Sequence, residues 1–166
     1  MKPVVGIIMG SDSDLEIMQE AAKVLKQFAV PYEIGVYSAH RSPHRTGDYV
    51  KSARERGLKV IIAGAGSSAH LAGVTAAETT LPVVGVPIDS SPLSGLDSLL
   101  STVQMPPGVP VATMGVGKSG ATNAGIFAVQ ILALDDDALM NRLVEYKQQL
   151  EKTVAEKSKK VQESAG

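Results

Sequence analysis

Val4-Val5-Gly6-Ile7-Ile8-Met9-Gly10-Ser11-Asp12-Ser13-Asp14 is the stretch that decides the fold. Its first six residues are a continuous apolar run rich in β-branched side chains. Continuous rather than alternating apolarity fits a strand buried on both faces, as in a parallel sheet. The small residues that follow allow close backbone approach, and Ser13 or Asp14 can cap the next helix. That helix is expected over Leu15 to Phe28. Leu15, Met18, Ala22 and Leu25 form one stripe, with Ile17, Ala21, Val24 and Phe28 beside it, a wide apolar face. A strand, a small-residue loop and a helix N-terminus in that order make a potential anion site.

The same unit recurs along the chain. A second strand at Tyr32 to Val36 leads into Tyr37-Ser38-Ala39-His40-Arg41-Ser42-Pro43 and a helix over Pro43 to Arg56, with Gly57 as its stop. A third strand, Leu58 to Ala63, precedes Gly64-Ala65-Gly66-Ser67-Ser68-Ala69-His70-Leu71-Ala72-Gly73 and a helix running to Thr80. A fourth, Pro82 to Pro87, precedes a loop through Gly95 and a short helix at Leu96 to Val103. A fifth, Val109 to Met114, precedes Gly115 to Gly120 and an apolar helix over Ala121 to Leu134. Five strands alternating with helices predict an α/β sandwich on a parallel sheet with right-handed crossovers. In such sheets ligands bind beyond the carboxyl ends of the strands. The loops at 10–14, 37–43, 64–73, 87–95 and 115–120 all fall at that edge, with two of the three histidines.

Asp135-Asp136-Asp137 opens a last helix, where acids suit the helix dipole. Leu139, Leu143, Tyr146 and Leu150 repeat at four-three-four spacing and form a narrow seam. A narrow seam on a projecting helix, after the sheet is already covered, suggests packing against another subunit. Residues 1–156 are read as one catalytic domain and 157–166, charged and small, as a frayed tail.

Composition narrows the function. The chain has 166 residues and a formal net charge of −1, so no overall basic field points to nucleic acid. Aromatic residues make up only 4%, too few for base-stacking platforms. There is no cysteine, which removes disulfides, thiolate metal sites and a cysteine nucleophile. The N-terminal apolar run is too short for a secretory core, and no segment approaches the ~20 apolar residues of a membrane span. A cytoplasmic location is the default.

Several motifs resemble known sites without completing them. Gly64-Ala65-Gly66 lacks the last glycine of a dinucleotide fingerprint, because position 69 is Ala69, and it follows the third strand rather than the first. Gly115-Val116-Gly117-Lys118-Ser119 lacks the first glycine of a P-loop. Neither His40 nor His70 has the spacing partners of a metal site, no serine nucleophile elbow is present, and His44 reads as a surface histidine. What remains is metal-free acid–base chemistry on a small anionic ligand. Arg41 offers a planar fork to phosphate or carboxylate, and His40 is an imidazole, a group that exchanges protons near neutral pH.

Gly10-Ser11-Asp12-Ser13-Asp14, Ser38-Ala39-His40-Arg41-Ser42-Pro43, Gly64-Ala65-Gly66 with Ala69-His70-Leu71, Leu93-Ser94-Gly95-Leu96-Asp97-Ser98-Leu99 and Gln104-Met105-Pro106 together resemble the class I N5-carboxyaminoimidazole ribonucleotide mutases of purine biosynthesis, in order and spacing, from about Val4 to Leu134. The resemblance implies a flavodoxin-like three-layer fold and an octamer whose C-terminal helices reach neighbouring subunits. It implies transfer of a carboxylate from N5 to C4 of the aminoimidazole, without metal, biotin or nucleotide triphosphate. By motif match Ser11, Ser13, Asp14 and Arg41 bind the ribonucleotide, with Arg41 and the serines on the phosphate and Asp14 on the ribose. Ser38, Ala39, Ala65, Gly66 and Leu71 line the site, His70 positions or closes it, and His40 carries the proton. The chain departs from the family at Ser67-Ser68, where glycine and alanine are common, and at Ala72, where proline is common. Pro92 and Pro107 also stand at variable positions. Two other readings share the fold. One is the class II carboxylase, which has lysine in place of Arg41; the other is a non-enzymatic nucleotide-binding module.

Overall fold

In the computed structural model, which describes residues 2–165, the opening strand β1 (Val5–Met9) is buried along its whole length. It pairs in parallel with β2 (Tyr32–Val36) on one side and β3 (Val60–Gly66) on the other, so that Ile7 lies between Ile34 and Ile62. Beyond β3 come β4 (Val83–Ile88) and the two-residue β5 (Ala112–Thr113), giving the order β2-β1-β3-β4-β5. The order reverses direction at β1, between β2 and β3, and that is where an open parallel sheet places its ligand crevice.

Helices cover both faces. On one, Ile8, Ile61 and Ala63 pack with Val50 and Ala53 of α2 (Pro43–Arg56) and with Leu71 and Ala72 of α3 (Leu71–Glu78). Thr102 of α4 (Leu96–Val103) closes over Gly85 on that same face. On the other lie α1 (Leu15–Gln27) and α5 (Lys118–Ala133). A Cβ on Gly64 would overlap Met18 of α1, and one on Gly125 would sit 2.8 Å from Val24 Cβ. These glycines let helix approach strand and helix approach helix. The layers are α/β/α, as the continuous apolar runs imply.

Several boundaries differ from the sequence reading, and three of them bear on the site or on the last helix. β3 runs on through Gly66, because Ala65 and Gly66 pair with Pro87 and Ile88 of β4. Part of the expected loop is therefore strand, which fixes the backbone of Ala65 and Gly66. β5 shrinks to Ala112–Thr113; Pro106, Pro107 and Pro110 have no N–H to give a ladder. The last helix, α6 (Asp137–Ala165), begins two residues later than expected, with Asp136 Oδ1 accepting the Leu139 N–H at 2.9 Å. It continues helical across 157–165, where fraying was expected; that stretch holds no proline or glycine and is rich in good helix formers.

The chain forms two compact units, one ending at Ile131 and one beginning at Leu132. In the second, Leu139 and Leu143 are buried, while Met140, Val144, Leu150, Val154 and Val161 are exposed. The expected seam is thus closed at its first two positions and open at its last. Among the described residues no helix is long and apolar enough to cross a membrane.

Candidate active site

The carboxyl ends of β1, β2, β3 and β4 surround one cavity of about 400 Å³. Each wall is set by local chemistry. After β1, Gly10 donates its N–H to Gly64 O at 3.1 Å, and the chain turns into a single 3-10 turn, Asp12–Asp14. Asp14 stands at the N-cap position of α1, as expected, but makes no side-chain cap bond there; the side-chain cap is Ser11, on the 3-10 turn. Its Oγ accepts the Ser13 N–H at 3.4 Å, and its own N–H donates to Asp14 Oδ2 at 3.1 Å. This reciprocal box pulls the Asp14 carboxyl inward, leaving Asp14 only 5% exposed. A solvated acid is therefore ruled out at that position.

Burial pushes the Asp14 carboxyl above its ordinary 3.8, and the Ser11 N–H and the Arg41 charge only partly offset this. The folded chain therefore holds the Asp14 proton more tightly than the unfolded chain does. Ionisation costs folded stability as pH rises past the unfolded value; the cost is absent in acid and present at neutrality. Asp14→Asn keeps an oxygen for the Ser11 N–H and removes the charge. The variant is expected to melt a few degrees above the parent at pH 7, with the gap narrowing as pH falls toward 4, in calorimetric scans across that range.

After β2 the chain knots around Ser38. Its carbonyl accepts Ser42 N–H (3.0 Å), Ser42 Oγ–H (3.1 Å) and Thr46 Oγ1–H (3.1 Å), while its hydroxyl accepts the Arg41 N–H at 3.1 Å. Pro43 at the first helical turn of α2 locks the exit. The tight turn projects two side chains over the cavity. Arg41 reaches back to β1, donating from Nη2 to Gly10 O at 2.9 Å. His40 meets His70 from the β3–α3 loop, Nε2 to Nδ1, at 2.8 Å, with the rings at 85°. A hydrogen bond of that length takes a proton on one of the two nitrogens and a lone pair on the other. This contact joins residues thirty apart in sequence, across the mouth of β1.

Every residue assigned to the site from the sequence lines this cavity: His40 and Arg41; Ser11, Ser13 and Asp14; Ser38 and Ala39; Ala65, Gly66, His70 and Leu71. Ser67, Ser68 and Ser90 line it too. Ser90 was not singled out from the sequence; nothing in the serine-rich 87–95 stretch distinguishes it. The glycine turn at 115–120 does not line the cavity. Gly117 donates to Pro87 O, and Lys118 pairs with Glu16. His44 is exposed on α2, as expected. Among the described residues no three His, Asp or Glu side chains are grouped as metal ligands.

Residues 4–153 match the AIR carboxylase family. The chain is 58% identical over 158 residues to a Bacillus subtilis protein named N5-carboxyaminoimidazole ribonucleotide mutase, covering 95% of this chain and 98% of that one. It is 54% identical to the protein of that name from Pyrococcus horikoshii, covering 98% and 90%. The crystal structure of Treponema denticola PurE superposes with a TM-score of 0.84 at 27% identity, covering 93% of this chain and 95% of that one.

Proposed function

The chain belongs to the AIR carboxylase family, and on that premise we propose that it converts N5-carboxyaminoimidazole ribonucleotide to its 4-carboxy isomer in purine biosynthesis, with His40 as acid and base. The protein is a mutase: the carboxyl group moves within one molecule. The observation that carries the residue assignment is the meeting of Arg41, Asp14 and the His40–His70 pair in one cavity at the switch point of the sheet.

The proposed steps balance without an outside reagent. The N5–carboxyl bond breaks, its electron pair returns to N5, and protonated His40 supplies the N5 proton. Carbon dioxide stays in the cavity. C4 attacks it, forming the new C–C bond, and His40 takes back the C4 proton. One group serving as acid and then base suits imidazole. Since the carboxyl group comes from the substrate, the scheme calls for no metal, biotin or nucleotide triphosphate. Arg41 and the serines of the β1 loop hold the phosphate, Asp14 the ribose hydroxyls, and Ser38, Ala39, Ala65, Gly66 and Leu71 shape the base pocket. His70 holds the His40 ring in place.

We place the enzyme in the cytoplasm as an octamer. Support for self-association is the open apolar stripe of Leu93, Leu96, Leu100 and Val103 at helical spacing, exposed by 61%, 56%, 48% and 47%. The exposed apolar residues of α6 add to it.

A carbon-label partition assay tests the function. Substrate labelled in its carboxylate is converted in unlabelled bicarbonate. Retention of most label in the 4-carboxy product is expected; mainly unlabelled product means that carbon dioxide exchanges with solvent and the class II reaction gains, and no product of either kind overturns the enzyme.

A further inference from the structure

We infer that Ser67 is a substrate-positioning residue in this chain, and that its hydroxyl and that of Ser90 together grip the carboxylate that migrates. The inference rests on the mutase reading above. Ser67 has φ +52°, in the left-handed region that glycine enters freely and a residue with a Cβ enters at a cost. A side chain kept where glycine would be less strained points to use of that side chain.

The hydroxyls are placed for such use. Ser67 Oγ lies 3.5 Å from Ser90 Oγ, too long for a good bond between them, and among the described residues neither hydroxyl has another side-chain hydrogen-bond contact. Both are exposed, and both line the cavity. Ser90 is seated firmly, since a Cβ on Gly66 would overlap its Oγ; only glycine leaves it that berth. Ser67 is tied into the turn that leads to His70, its carbonyl accepting the Ala69 N–H at 2.9 Å. The two hydroxyls therefore form a pair of donors close enough together for both to reach one carboxylate.

Strand order places this pair at the correct end. Arg41 follows β2 and Asp14 follows β1, while Ser67 follows β3 and Ser90 follows β4. A ribonucleotide with its phosphate on Arg41 and its ribose on Asp14 turns its base toward β3 and β4. There Ser67 and Ser90 meet the carboxylate beside the His40–His70 pair.

The test compares Ser67→Ala, which loses the hydroxyl, with Ser67→Gly, which loses both hydroxyl and strain. Both are expected to raise KM for N5-carboxyaminoimidazole ribonucleotide about tenfold with kcat little changed, the size of one hydrogen bond to a charged group. Inhibition by aminoimidazole ribonucleotide, which carries no carboxylate, is expected to match the parent's. Ser67→Gly alone is expected to melt above the parent. KM within about twofold of the parent in both variants overturns the inference, as does a loss of aminoimidazole ribonucleotide affinity in step with KM. A parent protein that forms no product at all overturns the mutase reading and this inference with it.

Discussion

His40→Asn is expected to bind the ribonucleotide as the parent does and to lose turnover by about a thousandfold, within the range general acid–base groups supply. The cavity's titratable lining residues are Asp14, His40, Arg41 and His70. A guanidinium is a donor only and is no proton carrier. Asp14 is buried and committed to the Ser11 N–H, on the wall assigned to the ribose. Only the two imidazoles remain to carry a proton to N5 and retrieve one from C4. His40 stands next to Arg41, on the turn knotted around Ser38, and is the one on which the scheme is built. Asparagine has similar reach and keeps hydrogen-bonding capacity, but it cannot ionise.

Calorimetric titration with aminoimidazole ribonucleotide checks binding, and product formation from the carboxylated substrate checks turnover. Turnover within about tenfold of the parent removes His40 from the mechanism. A larger loss in His70→Asn than in His40→Asn would exchange the two roles, with His40 holding and His70 transferring.

The strands buried on both faces were readable because burial there demands unbroken apolar runs, and Val5–Met9 and Val83–Ile88 supply them. The ligand edge followed from the alternation of strand and helix alone. Part of what escaped was set by partners distant in sequence, and part by a local turn. The extension of β3 to Gly66 depends on where β4 ends, which no feature of Gly64-Ala65-Gly66 reveals. The cap at Ser11 depends on a 3-10 turn preceding α1, and spacing rules for an ordinary helix start point to Ser13 or Asp14 instead. The burial of Asp14 follows from that same turn. The 2.8 Å contact of His40 with His70 is a product of the sheet order, with β2 and β3 on either side of β1. Motif and pattern therefore gathered the candidate residues, which the fold brings to one cavity, while their pairing inside it is set by the folded chain.

Arg41→Met is expected to weaken ribonucleotide binding about a hundredfold, and to do so through the phosphate. Arg41 is exposed, so the loss of its side chain should leave the melting temperature nearly unchanged. Its guanidinium is nonetheless held in place: Nη2 donates to Gly10 O at 2.9 Å, and Nε lies 3.5 Å from Ser38 Oγ. These contacts fix the plane of the fork and leave its other donors toward the cavity, an arrangement suited to a phosphate. A lysine has charge without the fork, so Arg41→Lys is expected to lose about tenfold, between parent and methionine variant. Aminoimidazole ribonucleotide and its dephosphorylated riboside, used as competing inhibitors, separate the phosphate from the rest of the ligand. The parent should prefer the ribonucleotide strongly, and Arg41→Met should lose most of that preference while binding the riboside as before. Added salt should weaken the parent's binding and have less effect on the variant, since the charge it screens is gone. If Arg41→Met keeps the full preference for the ribonucleotide, the phosphate lies elsewhere, and the placement of the base against His40 must be redrawn from a different anchor.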